Sequence, residues 1–257
     1  MELDITVIII AMGLAFLAAF IDAVVGGGGL ILIPGLLALG LQPATALGTN
    51  KMASAFGSLT SAFRFVRAKK VDLPLVGKLF PLSFLAAVAG TSLAVYLPSN
   101  VLKPLVIIIL SGVLIYTLLK KEWGTTRTYS KLSMIKAFMF VLLIALIGFY
   151  DGFLGGGTGS FLMFALLIIG FDFLSAAGNA KVLNFASNIG ALLMFMYLGH
   201  INYVLGIILA ISSILGSYVG AQFAIRKGVS YVKVLFVVVT LILIFKNAYD
   251  YLKAWLF

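Results

Sequence analysis

Apolar residues run in long blocks along this chain, and polar residues are confined to short breaks between the blocks. A membrane-spanning helix needs about 20 apolar residues. Glycine, proline and basic clusters mark where such helices stop. Read this way, the chain predicts ten helical segments in two sets of five. The first set covers residues 5–25, 30–39, 45–66, 73–97 and 101–119. The second covers 134–154, 160–169, 175–198, 203–225 and 229–252. The second segment of each set is only about ten residues, too short to span, and suits a half-helix or re-entrant segment. The expected fold is an all-α polytopic membrane protein of two repeats, 1–120 and 134–257, joined by a linker at 121–133.

Four charges fall inside these apolar blocks, and they recur as a set. Asp22 and Lys51 lie in the first half, Asp151 and Lys181 in the second. Asp22-Ala-Val-Val-Gly26-Gly27-Gly28 returns as Asp151-Gly-Phe-Leu-Gly155-Gly156-Gly157. Ala46-Leu-Gly48-Thr49-Asn50-Lys51 returns as Ala176-Ala-Gly178-Asn179-Ala180-Lys181. The offset is 129 residues at the aspartates (22 to 151) and 130 at the lysines (51 to 181). Charge at bilayer depth is costly and marks an ion or substrate path. Glycine-broken apolar segments in matching positions of two halves point to a transporter's binding site.

Loop charges predict orientation through the positive-inside rule. Arg64, Arg67, Lys69, Lys70 and Lys78 surround the connection between the third and fourth segments. Lys120, Lys121, Arg127, Lys131 and Lys136 mark the loop between halves, and Arg226, Lys227 and Lys233 the last connection. These sides are expected to be cytoplasmic. The turns at Pro98–Asn100 and Gly199–Asn202 carry little charge and are expected outside. The two halves then have opposite orientations, an inverted-topology repeat with both termini external.

Composition narrows the function classes. Hydrophobic residues make up 63% of 257 positions and charged residues 10%, with a mean hydropathy of +1.19. A soluble domain has about 25% charged residues. Cysteine is absent and His200 is the lone histidine, which argues against a thiolate nucleophile, a haem or a His-ligated metal. The net charge of +10 is accounted for by loop lysines and arginines, so nucleic acid is not an expected partner. Met1–Asp4 carries Glu2 and Asp4 and no basic residue, unlike the start of a cleaved signal peptide.

The candidate site chemistry is that of an anion. Gly27, Gly28 and Gly29 precede one short helix; Gly156, Gly157 and Thr158 precede its counterpart. Glycine lets the backbone approach a ligand, and a helix N-terminus presents free N–H groups with partial positive charge. Lys51 and Lys181 add full charge, with Thr49, Asn50, Asn179 and Asn184 as polar neighbours. Asp22 and Asp151 are expected either to pair with the lysines or to carry a coupling H⁺ or Na⁺; helix-end hydrogen bonding is the simpler alternative. Asp172 is expected to cap the helix that follows it. The expected partners are a small anion, the bilayer and, as a further option, a second copy of the chain in a homodimer.

The run from Gly26 through Pro34, Gly40 and Pro43-Ala-Thr-Ala46-Leu-Gly48-Thr49-Asn50-Lys51 resembles the TauE/SafE family of sulfite exporters. The second copy departs from it, with Phe173 for Pro43 and Asn179-Ala180 for Thr49-Asn50. The resemblance covers nearly the whole chain. It implies a multi-pass protein of the cell inner membrane that moves small sulfur-containing anions such as sulfite or sulfoacetate, often outward. The residues themselves reach only a small oxyanion bound by helix N-termini and lysines. A passive anion channel and a cation-coupled carrier of another small anion are the alternatives. A cation transporter with Asp22 and Asp151 as ligands is a further class. An intramembrane enzyme lacks a nucleophile or metal set, and no P-loop is present.

Overall fold

A computed structural model describes residues 5–94, 124–130 and 132–256. The fifth expected segment, at 101–119, and the Pro98–Asn100 turn lie outside the described residues. The regular structure described is helical: α1 (Ile5–Val25), α2 (Gly29–Ala38), α3 (Pro43–Arg67), α4 (Leu73–Ala94), α5 (Met134–Phe153), α6 (Thr158–Ile168), α7 (Phe173–Tyr197) and α8 (Tyr203–Leu256). The last two expected segments appear as α8, interrupted at Gly228, where φ 79 and ψ −164 leave helical space.

Local chemistry sets the helix starts. Gln42 is extended and hands the chain to Pro43, whose fixed φ suits the first turn of α3. In the matching place Asp172 accepts the N–H groups of Leu174 (3.0 Å) and Ser175 (2.9 Å) and caps α7. α1 stops where Gly26 and Gly27 take φ of +85 and +95. Side chains rarely adopt that region, so the glycines end the helix cleanly.

Among the described residues, four helices are long and apolar enough to cross a membrane: α1, α4, α5 and the Tyr203–Val238 part of α8. The more polar α3 and α7 lie between them and contact each other, and most of α7 is buried. At 25 residues each, and about 1.5 Å of rise per residue, both are also long enough to span. α2 and α6, at 10 and 11 residues, reach only about halfway across a hydrocarbon core of about 30 Å.

The packing of one half repeats in the other with partners exchanged. α1 packs on α8, and its counterpart α5 packs on α4. α3 packs on α8, and its counterpart α7 packs on α4. The match extends to single residues. Gly220 lies against the Phe20 carbonyl, and Gly90 against that of Phe149. Gly48 lies against the His200 carbonyl, and Gly178 against that of Lys70. A methyl group at any of the four would press into backbone, which is why close helix crossings in a membrane select small residues. The Gly48 and Gly178 contacts set the start of α3 against the end of α7 and the end of α3 against the start of α7. These two counterparts therefore run antiparallel.

Several connections gather at one end of the molecule. Arg127 bonds Asp72 at 2.7 Å, joining the described part of the linker to the α3–α4 connection. The Thr128 N–H donates to the Gly170 carbonyl, and the Phe173 N–H to that of Gly124. Lys233 sits over the Phe173 ring, so the stretch after the Gly228 break is there as well. The described basic residues of these connections therefore share an end, and the loop containing His200 is at the other.

Candidate functional site

The two glycine turns meet. Gly26 packs on Gly159 and the Ser160 backbone, and Gly29 on Gly155 and Gly156. The Ser160 hydroxyl donates to the Val25 carbonyl at 2.9 Å, stitching α6 to the end of α1. At Gly155 the left-handed φ of +75 favours glycine, and a Cβ there would stand 2.7 Å from the Lys51 ammonium and displace it.

Both lysines reach this junction, and each pairs with the aspartate of the opposite half. Lys51 Nζ lies 2.8 Å from Asp151 Oδ1, with side-chain exposures of 2% and 1%. Lys181 Nζ lies 2.8 Å from Asp22 Oδ2, with 2% and 22%. The sequence places Asp22 and Lys51 in one repeat; the fold crosses the pairs between repeats. Lys51 also donates to Asn188 Oδ1 at 3.1 Å. Asp22 Oδ1 accepts the Gly28 N–H at 3.2 Å, so the α2 turn already holds a carboxylate belonging to the chain. Asp151 Oδ2 is buried without a hydrogen-bond partner.

The other expected site residues divide into three groups. Gly27 and Gly28 form the α1–α2 turn, with Gly29 opening α2. Gly157, in the left-handed region, is the N-cap of α6. Gly156 accepts the Tyr150 hydroxyl at 2.6 Å. Thr158 is buried, and its Oγ1 has no partner. Asn184 is buried on α7 one turn from Lys181. Thr49 and Asn179 do something else. Thr49 Oγ1 accepts the Asn202 N–H at 3.1 Å, and Asn179 Oδ1 accepts the Asp72 N–H at 2.8 Å. They occupy equivalent positions and brace equivalent loops at opposite ends.

Asn50 faces a small cavity beside Asp22. About 20 Å³ is free there, lined by Asp22, Asn50, Ser54, Ser58, Ser213 and Ser217 among others. That is room for about one water-sized occupant. Ser213 and Ser217 were not anticipated from the sequence. Their i, i+4 spacing on α8 is the one signal that marked them, and small hydroxyl residues at that spacing commonly serve helix packing alone.

The comparisons with known proteins agree with this architecture. The family described as "Sulfite exporter TauE/SafE" matches residues 11–247. A "Probable membrane transporter protein ORF9" from Sinorhizobium sp is 37% identical over 247 residues, 94% of each chain. A "Probable membrane transporter protein" of Haemophilus influenzae is 34% identical over 252 residues, 97% of this chain and 98% of its own. The "Probable membrane transporter protein YfcA" of Escherichia coli strain K12 is 34% identical over 242 residues, covering 92% and 87%. No solved structure matches. Family match, near-full-length relatives and a bundle of apolar helices around two charge pairs lead to one conclusion: the chain belongs to the TauE/SafE sulfite exporter family and is a membrane transporter rather than an enzyme.

Proposed function

We propose that this transporter is a secondary carrier of small sulfur-containing oxyanions such as sulfite or sulfoacetate. It works as an exporter, by alternating access between two inverted halves. The observation that carries the reading is the pair of crossed ion pairs at the junction of the glycine turns. A buried ion pair adds little to stability compared with a well-packed apolar pair. Two such pairs at matching positions of both halves favour work on a charged substrate.

The carboxylates occupy the seats that an anion would take. Asp22 accepts from Lys181 Nζ and from the Gly28 N–H, the two donor types expected to hold an oxyanion. An incoming anion exchanges with the carboxylate on its lysine. Because each pair joins opposite halves, releasing it loosens one half from the other, and the halves are free to rock. The family supplies the sulfur preference; the lysines and N–H groups supply only affinity for a small oxyanion.

Uptake of labelled sulfite, sulfate and sulfoacetate into proteoliposomes tests this, with Lys51→Ala and Lys181→Ala beside the wild type and gel filtration to confirm folding. Saturable flux, accelerated by substrate on the far side and lost in both variants, is expected. Equal flux by all three proteins removes the lysines from the mechanism. Unsaturable conductance would make the protein a channel.

A further inference from the structure

The anion exchange leaves a charge problem. The two pairs balance when no substrate is bound. Adding an anion to Lys181 strips Asp22 of its partner and leaves a carboxylate uncompensated at bilayer depth, which is strongly unfavourable. A cation beside Asp22 removes the problem, and the cavity is beside Asp22.

The lining has the chemistry for a cation. Asn50 is 2% exposed, and its Oδ1 is a buried acceptor without a partner. The Ser58 hydroxyl donates to the Ser54 carbonyl at 2.6 Å, and the Ser217 hydroxyl to the Ala19 carbonyl at 3.3 Å. Their protons are turned to the backbone, so oxygen lone pairs remain for an occupant. The cavity thus offers one carboxylate and several neutral oxygens in about 20 Å³. Among the described residues no three His, Cys, Asp or Glu side chains cluster as a metal site. One carboxylate with neutral oxygens suits a hard monovalent ion better than a divalent one.

The second half does not repeat the arrangement. Ala180 stands where Asn50 is, and Ala87 where Ser217 is. Asn188, the counterpart of Ser58, gives its side-chain oxygen to Lys51. We propose that the cavity bounded by Asp22, Asn50, Ser54, Ser58, Ser213 and Ser217 is a monovalent-cation site, with sodium the ion of matching size and hardness. Occupancy draws Asp22 from Lys181 and frees the lysine for the anion. Cation and anion then each raise the other's affinity by the same factor.

The cation's role in transport rests on the carrier reading above, whereas its binding does not. The test is therefore run on purified full-length protein without any anionic substrate. Binding of ²²Na⁺ is measured by scintillation proximity, alongside thermal unfolding in sodium, potassium, lithium or choline chloride at constant ionic strength. Wild type is expected to bind ²²Na⁺ saturably and to unfold at a higher temperature in sodium than in choline. Asn50→Ala and Ser217→Ala should each raise the half-saturating sodium concentration by about tenfold, the effect of losing one polar contact of ordinary strength. Ser187→Ala, in the second half, should not change it. Because Asp22→Asn leaves Lys181 unpaired and risks misfolding, the two milder variants decide. Absence of saturable binding, or binding unaffected by Asn50→Ala and Ser217→Ala, overturns the site. Binding without flux refutes the carrier and leaves the site standing; flux without binding does the reverse.

Discussion

The pair Lys51–Asp151 and the pair Lys181–Asp22 occupy equivalent places in the two halves, yet their surroundings differ. The first is enclosed on all sides, and Asn188 gives Lys51 a second acceptor. The second has a partly exposed carboxylate at the edge of a cavity. The two halves carry matching pairs, and differences at a few neighbours separate them. Asn188 against Ser58 and Ala180 against Asn50 are the substitutions that matter most. A carrier with two identical pairs would have no reason to release one before the other. In the carrier proposed above, the enclosed pair would hold the halves together while the exposed one exchanges.

Removing one partner from each pair gives the largest expected effect. Lys51→Met leaves the Asp151 carboxylate buried and uncompensated and should cost about 3–5 kcal/mol of stability. Lys181→Met should cost clearly less, since Asp22 keeps the Gly28 N–H and borders the cavity. Unfolding in mixed micelles measures both, and equal losses would abolish the distinction between the pairs. The double variant Lys51→Met/Asp151→Leu should recover most of the stability of the single variant, because an apolar pair of similar volume replaces a charged one at little net cost. Flux should stay low in the double variant if the lysine carries substrate.

Asn188 sharpens the comparison at smaller magnitude. Asn188→Ala removes a hydrogen bond to a charged group and should cost about 1.5–3 kcal/mol. It should also make the Lys51 pair behave more like its counterpart. Ser58→Ala removes a hydroxyl whose proton goes to its own helix and, measured without sodium, should cost less than Asn188→Ala. A larger loss for Ser58→Ala would mean that the Lys181–Asp22 pair is the tighter one.

Much of this arrangement was visible in the chain before folding. The breaks at Gly26–Gly29 and Gly155–Gly159, the cap at Asp172 and the burial of Lys51 and Lys181 follow from local chemistry and from a repeat offset by 129 to 130 residues. The crossing of the pairs did not follow. Each lysine has an aspartate near it in sequence, and only the antiparallel seating of α3 on α7 brings Lys51 to Asp151 instead. The cavity was equally hidden, since Ser213 and Ser217 come from α8, far in sequence from Asp22. The division of labour among neighbours was also out of reach. Thr49, Asn50 and Lys51 are consecutive and polar, but successive helix residues point about 100° apart. They therefore reach a loop, a cavity and an ion pair respectively.

That division supplies the mildest test. Thr49 and Asn179 each hold one backbone N–H of a loop, at opposite ends of the α3–α7 contact. Neither side chain hydrogen-bonds to the ion pairs. Thr49→Val removes the acceptor and keeps the shape, so it should cost about 0.6–1 kcal/mol, the range for one hydrogen bond inside a membrane protein. Asn179→Leu should cost somewhat more, because Asn179 also donates to the Ser175 carbonyl at 2.8 Å. In both variants the substrate concentration at half-maximal flux should stay within about twofold of wild type, a change of under about 0.5 kcal/mol. A large shift in that concentration with little loss of stability would bring the two residues back among the groups that hold the anion. It would also mean that the loops they brace move during transport, so that both ends of α3 and α7, not only the glycine junction, belong to the working site.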